Sequence, residues 1–521
     1  MSLDKLKIGI MVFLRKDISM RHVSAFLLIL LIGLAFRCYW ITQKEGMYGD
    51  EVWSMVLCTY NAPFRQVPVK GNLTGEEIVR QSMLDTPTVH EALRDLKSLH
   101  RDVRDYNHTN FYYSLLRTAF IGFDSANIKD ICQRAFMLNL LIYVAEFCFF
   151  FMLLRLYCRE HPLLLYGTLL CFALMVGGVS NTIYLRPYQL QEFTFVLLAF
   201  WATLLIRRTD EGKPLFTMRN FCITAVVLAL ALWTGYFVIA FVGFMGMGLL
   251  WQLYQRGLLK KGIMYFTGVL ITALLLCRLL YQRYFDGYQG DDRVTNMVSG
   301  YGYRQRFIES ACKWVELIYS NTVYVPVLIA IVAIIVCCVF YRKRRVQLPW
   351  FILPAAAFTL FIMFIAPAKV NRYIVAAEPL LLLAIPCAFS LLQKQRVQLV
   401  LMLAVCCKYL TVPCHEYRME HLYRDSFLTE SLKSKKNITA VLDSKVTGHL
   451  VDLIPYLDSD KKYNIITNDD SLNVKTGDMI FVSLDQPDDT KDYIKRHIPR
   501  YKIVKDKVGI PQRWVQLVVT E

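Results

Sequence analysis

The 521-residue chain contains no CxxC pair and no Cys/His cluster at metal-ligand spacing, which excludes zinc-ribbon and thioredoxin-like chemistry. It has no glycine-rich phosphate loop of the dinucleotide or P-loop type. Internal repeats and low-complexity tracts are missing too. Charge is sparse: 19% of residues are charged, against 55% hydrophobic. The net charge of +17 raises the question of nucleic acid, yet no basic helix and no aromatic-plus-basic module accompanies it. Nucleic-acid binding is therefore set aside.

Long apolar runs, in contrast, are abundant, and the mean hydropathy is +0.36. A helix needs about 20 mostly apolar residues to cross the hydrocarbon core. Eleven runs approach that length: 23–41, 131–153, 161–180, 188–206, 218–233, 235–253, 262–282, 322–341, 349–366, 373–392 and 397–411. The first is not a signal peptide. It lacks a small-residue cleavage site, and Arg37, Tyr39 and Trp40 follow its apolar stretch. Most of the 15 cysteines lie inside these runs, where cysteine is a small hydrophobe. The fold class that follows is mainly α, a polytopic transmembrane helical bundle.

Charge distribution orients the bundle. The leader 1–22 is basic, as expected of a segment lying on anionic headgroups. Five short connections carry the remaining excess: Arg155 and Arg159; Arg207, Arg208 and Lys213; Arg256, Lys260 and Lys261; Arg342 to Arg345; Lys394 and Arg396. The positive-inside rule puts all five, and the leader, in the cytoplasm. Three long segments then fall outside, namely 42–130, 283–320 and 412–521. The last loses spanning runs and alternates short apolar stretches (Thr439 to Leu442, Tyr463 to Thr467, Met479 to Leu484, Trp514 to Val519) with helical patterns. It reads as a small extracytoplasmic α/β domain appended to a membrane domain of 23–411. Cys58, Cys312 and Cys414 fall on this outer side, where a disulfide is chemically allowed.

The outer segments hold the residues that invite chemistry. Asp50 and Glu51 are adjacent carboxylates just past the first run, in the stretch Tyr48 to Ser54. As structure alone they would be a helix N-terminus, Asp50 capping and Glu51 opposing the dipole. Near a membrane surface such a pair is costly unless used or solvated. His108, Tyr112 and Tyr113 lie in the same loop, followed by Arg117. Arg186 and Tyr188 sit at the outer end of the third connection, and Lys369, Arg372 and Tyr373 between the ninth and tenth runs. Arg186 and Arg372 are cations where orientation does not require them. Each alone reads as a snorkelling side chain. Together with Asp50 on one face they read as an anion site.

The order of these motifs resembles the GT-C membrane glycosyltransferases, in particular the protein O-mannosyltransferase and aminoarabinose transferase group. Asp50-Glu51 matches that family's acidic pair in the first outer loop, and His108 to Tyr113 resembles its stretch before the second span. Arg186-Pro187-Tyr188 matches its Arg-x-Tyr, and Arg372-Tyr373 with Pro379 its late Arg-Tyr. The resemblance covers roughly 25–395. Thr109-Asn110 departs from the family's proline pair, and the C-terminal segment matches nothing in it.

The resemblance implies an inverting transfer from a polyprenyl-phosphate sugar to an acceptor hydroxyl on a protein, lipid or glycan, within a bilayer. An acceptor hydroxyl needs a base as it attacks, and Asp50 is the expected one, with Glu51 orienting the loop. The leaving lipid phosphate needs positive charge rather than an acid. Arg186 and Arg372 are first candidates, then Lys369 and Lys70, with His108, Tyr112 and Tyr188 beside them. No cofactor and no essential metal is expected. Asp458-Ser459-Asp460 imitates a metal-binding DxD but sits in a charged turn, and Asp291-Asp292 is similar. Outward-facing groups in a bacterial cytoplasmic membrane, or an endoplasmic reticulum membrane in a eukaryote, require a lipid-carried donor because nucleotide sugars are cytoplasmic. The rivals are a flippase for a lipid-linked sugar, which predicts charges near the midplane and broken helices, a polysaccharide polymerase or ligase, and a non-catalytic scaffold. Glu146, and Trp233-Thr234-Gly235, are the features the flippase would claim.

Overall fold

Each of the eleven apolar runs folds as helix, but the helices are unequal. A computed structural model describes residues 20–44, 46–59, 69–83, 88–103, 108–286, 303–320, 323–340, 348–366, 370–392, 394–411, 426–434, 436–444, 447–498, 500–508 and 514–520. Among them, five helices are long and apolar enough to cross a membrane: Met20–Gln43, Ile128–Cys158, Tyr188–Asp210, Val238–Gln255 and Leu259–Leu280. A sixth span results if Pro162–Leu174 and Val176–Thr182, bent by 47° at Met175, are counted as one. The other five expected spans are shorter or broken: Met218–Leu232, Tyr324–Phe340, Ile352–Ile365, the stretch Val375–Ser390, and Gln395–Thr411. Prolines at 379 and 386 divide Val375–Ser390 into a 3-10 turn and two short helices, because each proline lacks the N–H that a continuous helix would need.

Burial identifies the centre. The apolar window of Tyr188–Asp210 is 83% buried, whereas Leu259–Leu280 is 17% buried and presents Met264, Leu275 and Leu279 outward. An exposed apolar belt of this kind is what a lipid-facing surface requires. Phe195 on the central helix stacks on Phe241 at 3.6 Å and meets Phe358 edge-on at 5.3 Å, tying three helices together. The chain reads as an integral membrane protein.

A mixed sheet closes the end of the bundle from which the first loop leaves. Its order is β1-β3-β2-β4-β6-β5, with β1 Gly71–Thr74, β2 Ile438–Leu442, β3 Lys462–Thr467, β4 Met479–Ser483, β5 Tyr501–Val508 and β6 Trp514–Val519. β3, β2 and β4 run parallel; β1 adds antiparallel to β3, and β6 and β5 antiparallel beyond β4. The sheet is thus not made by 412–521 alone, as the sequence suggests. The loop after the first helix lends it an edge strand. Helix Gly75–Met83 follows at once, and its Gly75 N–H donates to the Lys461 carbonyl at 3.0 Å. A Cβ at Gly75 would lie 2.1 Å from the Asp458 carbonyl oxygen, so only glycine permits this approach. The Asp458-Ser459-Asp460 turn is therefore a docking surface for the loop, with Ser459 carbonyl accepting from Glu76 N–H at 3.0 Å.

The first loop also contains helices Val89–Arg101 and Phe111–Ala119, joined by a buried Arg117–Asp95 ion pair at 2.8 Å. Helix Tyr303–Ser320 occupies the end of the second long segment. Among the described residues Cys58 and Cys312 form no disulfide; Cys414, Lys369, Asp291 and Asp292 lie outside the described residues.

Candidate active site

Helix Gly49–Thr59 begins six positions after helix Met20–Gln43 ends, and its first turn parts the two carboxylates. Glu51 points inward and is fully buried. Both its oxygens accept from Lys44 Nζ at 2.7 Å, and they also take the Tyr48 and Leu185 backbone N–H groups at 2.7 and 3.0 Å. Lys44 donates in turn to the Ile183 carbonyl at 2.8 Å. Burial pushes the Glu51 carboxyl upward, and the Lys44 ammonium opposes that push. This buried knot stitches the start of the first loop to the loop 183–187. Lys44 escaped the sequence reading. Its signal was a cation at the end of the first run that charge distribution assigns to the outside, where the positive-inside rule does not ask for one.

Asp50 points outward and is 38% exposed. Its Oδ2 accepts from the Tyr184 hydroxyl at 3.1 Å and lies 3.5 Å from Arg372 Nη1, which also donates to the Tyr184 hydroxyl at 2.9 Å. Burial first, and the Asp50 carboxylate second, push the Tyr184 phenol well above its ordinary value, so it keeps its proton and donates. The Nε of Arg372 is buried and makes no hydrogen bond among the described residues. Arg186 Nη1 donates to the Tyr113 hydroxyl at 2.9 Å, Ser54 Oγ at 3.3 Å and the Asp50 carbonyl at 3.4 Å, clamping the turn that carries Asp50. An aromatic wall backs the group: Tyr184 stacks on Tyr188 at 5.9 Å, Tyr188 meets Tyr373 at 6.2 Å, and His108 meets Tyr188 edge-on at 5.7 Å.

Asp50, Glu51, Arg186, Arg372, His108 and Tyr188 are thus brought into one cluster from four separate elements. Tyr112 is behind it, its hydroxyl donating to Asn139 Oδ1 at 3.0 Å. Lys70 is not part of it. Its Nζ pairs with Asp470 at 3.0 Å and donates to Thr467 Oγ1 at 2.8 Å, so it pins β1 to the sheet instead of waiting for a phosphate. Thr109 and Asn110 have a visible task as well: both hydrogen-bond Trp233, and Phe111 stacks on its ring at 4.2 Å. The Trp233-Thr234-Gly235 interruption is the seat of the first loop.

Below the cluster lies a buried polar network that sequence reading touched only at Glu146. The bend at Met175 brings Gly177 and Gly178 against other helices; a Cβ on Gly177 would sit 2.5 Å from a Glu378 oxygen. Arg37 donates to Thr182 Oγ1 at 3.0 Å and the Ala173 carbonyl at 2.7 Å, with its guanidinium 3.4 Å above the Tyr143 ring. Gln189 donates to Glu146 at 2.6 Å, and Asn181 to Glu192 at 2.9 Å. Asn139 reaches the Thr182 and Tyr184 carbonyls at 3.0 and 3.1 Å, linking this layer to the loop above. Among the described residues no group of three or more His, Cys, Asp or Glu has the geometry to hold a metal ion.

The chain matches no family model and no curated protein. Solved structures do match. The Archaeoglobus fulgidus oligosaccharyltransferase, crystallised with zinc and sulfate, is similar at 12% identity over 84% of this chain, with a TM-score of 0.44. ArnT from Cupriavidus metallidurans, bound to undecaprenyl phosphate, is similar at 10% identity over 95% of this chain and 98% of its own, with a TM-score of 0.45. Both are GT-C glycosyltransferases. The chain spans 62% of the oligosaccharyltransferase's length. Likeness at this level bears on neither substrate nor chemistry, which rest on the side chains described above.

Proposed function

We propose that the chain transfers a sugar from a polyprenyl-phosphate carrier to an acceptor hydroxyl, at the outer rim from which Asp50 projects. One observation carries this reading: an accessible carboxylate held by a phenol and an arginine whose buried Nε has no hydrogen-bond partner among the described residues. A buried donor left unsatisfied is costly, and an incoming anion is the group that would satisfy it.

Asp50 takes the proton of the acceptor hydroxyl as its oxygen attacks the anomeric carbon. The bond from that carbon to the phosphate oxygen breaks, and its electron pair leaves on the lipid phosphate. Arg372, planar and permanently charged, binds the phosphate as this charge accumulates. The Arg372–Asp50 contact of 3.5 Å is longer than the roughly 2.7–2.9 Å of a tight charge-assisted bond, so the cation is not clamped to the base. Arg186 holds the turn beneath Asp50 and adds positive potential. The single displacement inverts the anomeric centre. The experiment is Asp50→Asn in purified protein with a labelled polyprenyl-phosphate sugar: transfer is lost while folding is kept. Full turnover in that variant would remove Asp50 as the base.

The buried Arg37, Glu146 and Glu192 layer is the observation that favours a flippase as second reading, since ionisable groups among spans mark translocation paths. Proteoliposomes separate the two. A flippase moves intact carrier between leaflets with no acceptor present; a transferase leaves it in place and releases sugar only to an acceptor.

A further inference from the structure

The layer beneath the Asp50 cluster holds two carboxylates that sugar transfer does not use. Glu146 and Glu192 are both 0% exposed. Glu146 Oε2 accepts from Gln189 at 2.6 Å, and Glu192 Oε2 accepts from Asn181 Nδ2 at 2.9 Å. The Oε1 of each is buried and takes no hydrogen bond among the described residues. Asn181 adds a third open oxygen: its Oδ1, on the amide that holds Glu192, is buried without a partner as well.

Four helices bring these groups together. Glu192 and Gln189 come from helix Tyr188–Asp210, Asn181 and Gly178 from Val176–Thr182, Glu146 from Ile128–Cys158 and Arg37 from Met20–Gln43. They converge on Gly178, where a Cβ would lie 3.2 Å from Glu192 Oε1 and 3.3 Å from Arg37 Nη2. Among the described residues Arg37 is the cation acting on both carboxylates, and its printed donors go to Thr182 Oγ1 and the Gly33 and Ala173 carbonyls. Glu378 lies across Gly177 and is not among the charges acting on either carboxylate.

Two ionised carboxylates against one guanidinium leave a single negative charge in a buried layer, which is costly unless compensated. A buried water would satisfy an oxygen and leave that charge in place. A proton would cancel it, yet neither Oε1 has an acceptor within hydrogen-bond reach for the O–H so formed. A divalent ion would overshoot it, and the described residues offer no set of three metal-binding acids, histidines or thiols. A monovalent cation balances the charge and takes up oxygens of the hard kind that such ions prefer.

We propose that Glu146, Glu192 and Asn181 bind one monovalent metal cation of the size of sodium. The site lies one helical turn, roughly 6 Å, beyond Tyr188 along its helix. The ion ties helix Val176–Thr182 to its neighbours and so steadies the loop that carries Tyr184 and Arg186. Binding requires neither carrier nor acceptor, and the proposal stands apart from the glycosyl-transfer reading.

The test is binding of radioactive sodium to the purified full-length protein in detergent, with melting followed in sodium chloride and in choline chloride at equal ionic strength. Wild type binds sodium saturably and melts higher in sodium than in choline. Glu192→Gln, which keeps the side chain's shape, lowers sodium affinity by about tenfold or more, since even an outer-shell partner of a metal ligand is worth that much. In choline this variant melts no lower than wild type, because the uncompensated carboxylate is gone, and that separates lost binding from failed folding. Absence of saturable sodium binding in wild type overturns the proposal, as does unchanged affinity in Glu192→Gln. Melting in choline that climbs to the sodium value as pH falls, without sodium binding, also overturns it and assigns the site to a proton.

Discussion

Asp50 and Glu51 are one residue apart and carry the same functional group, yet their surroundings give them opposite tasks. Glu51 is sealed against Lys44 and two backbone N–H groups, so no substrate can reach it. Asp50 keeps contact with solvent and with Arg372. Replacing Asp50 by Asn should lower kcat by about 10²–10⁴-fold, the usual worth of a general base, with thermal melting in detergent unchanged. Lys44→Met should act on the fold instead. A buried charge left without its partner costs about 3–5 kcal/mol, and adding Glu51→Gln should recover most of the lost melting temperature because the orphaned charge is gone. The acidic pair, Arg186 and Arg372 were legible as residues, because cations and acids stand out against apolar sequence. Which carboxylate is exposed was not legible, since it depends on a lysine seven positions earlier and on the backbone of Leu185. Lys70 shows the converse: a lone cation in an outer loop looks free until the strand that neutralises it, some 400 positions on, is folded beside it.

The elements differ in how openly the sequence announces them. Apolar runs mark the helices, but the bend at Met175 is hidden, because Met-Val-Gly-Gly is as apolar as the helix around it. Strands β2, β3, β4 and β6 coincide with short apolar runs. β5 does not, since an edge strand facing water carries Lys502, Lys505 and Lys507, charges that also protect it from pairing with another chain. β1 is only four residues, Gly-Asn-Leu-Thr, with a single apolar side chain, and its pairing is invisible until β3 exists. Gly75→Ala should loosen it: the added carbon meets the Asp458 carbonyl, and faster hydrogen exchange at Gly71–Thr74 would report the loss. The Lys70–Asp470 contact gives the same junction a pH dependence. The Thr467 backbone N–H and hydroxyl, then Lys70, hold the Asp470 carboxyl down at about 2, from an ordinary 3.8. A depressed acid contributes stability above its unfolded value and loses it as pH falls through the folded one. Protection of β1 should therefore decline between about pH 4 and pH 2, and Asp470→Asn should flatten that decline.

Across the whole molecule, helix Met20–Gln43 separates two ends, one holding the Asp50 cluster and the sheet, the other His22, which lies 2.7 Å from the Tyr166 hydroxyl. A single reactive cysteine placed at Met20 and another at Lys475 should respond oppositely to a membrane-impermeant thiol reagent; equal responses would contradict this arrangement. The hydrogen bonds between β1 and β3 impose a stricter demand. Two strands of one ladder must stand in the same compartment, so the polypeptide that departs at Thr74 and rejoins its neighbours at Lys462 has made a round trip. Its passages through the bilayer in between must therefore number even, whichever of the short apolar helices are granted a full crossing. Any revision of the topology adds or removes them two at a time.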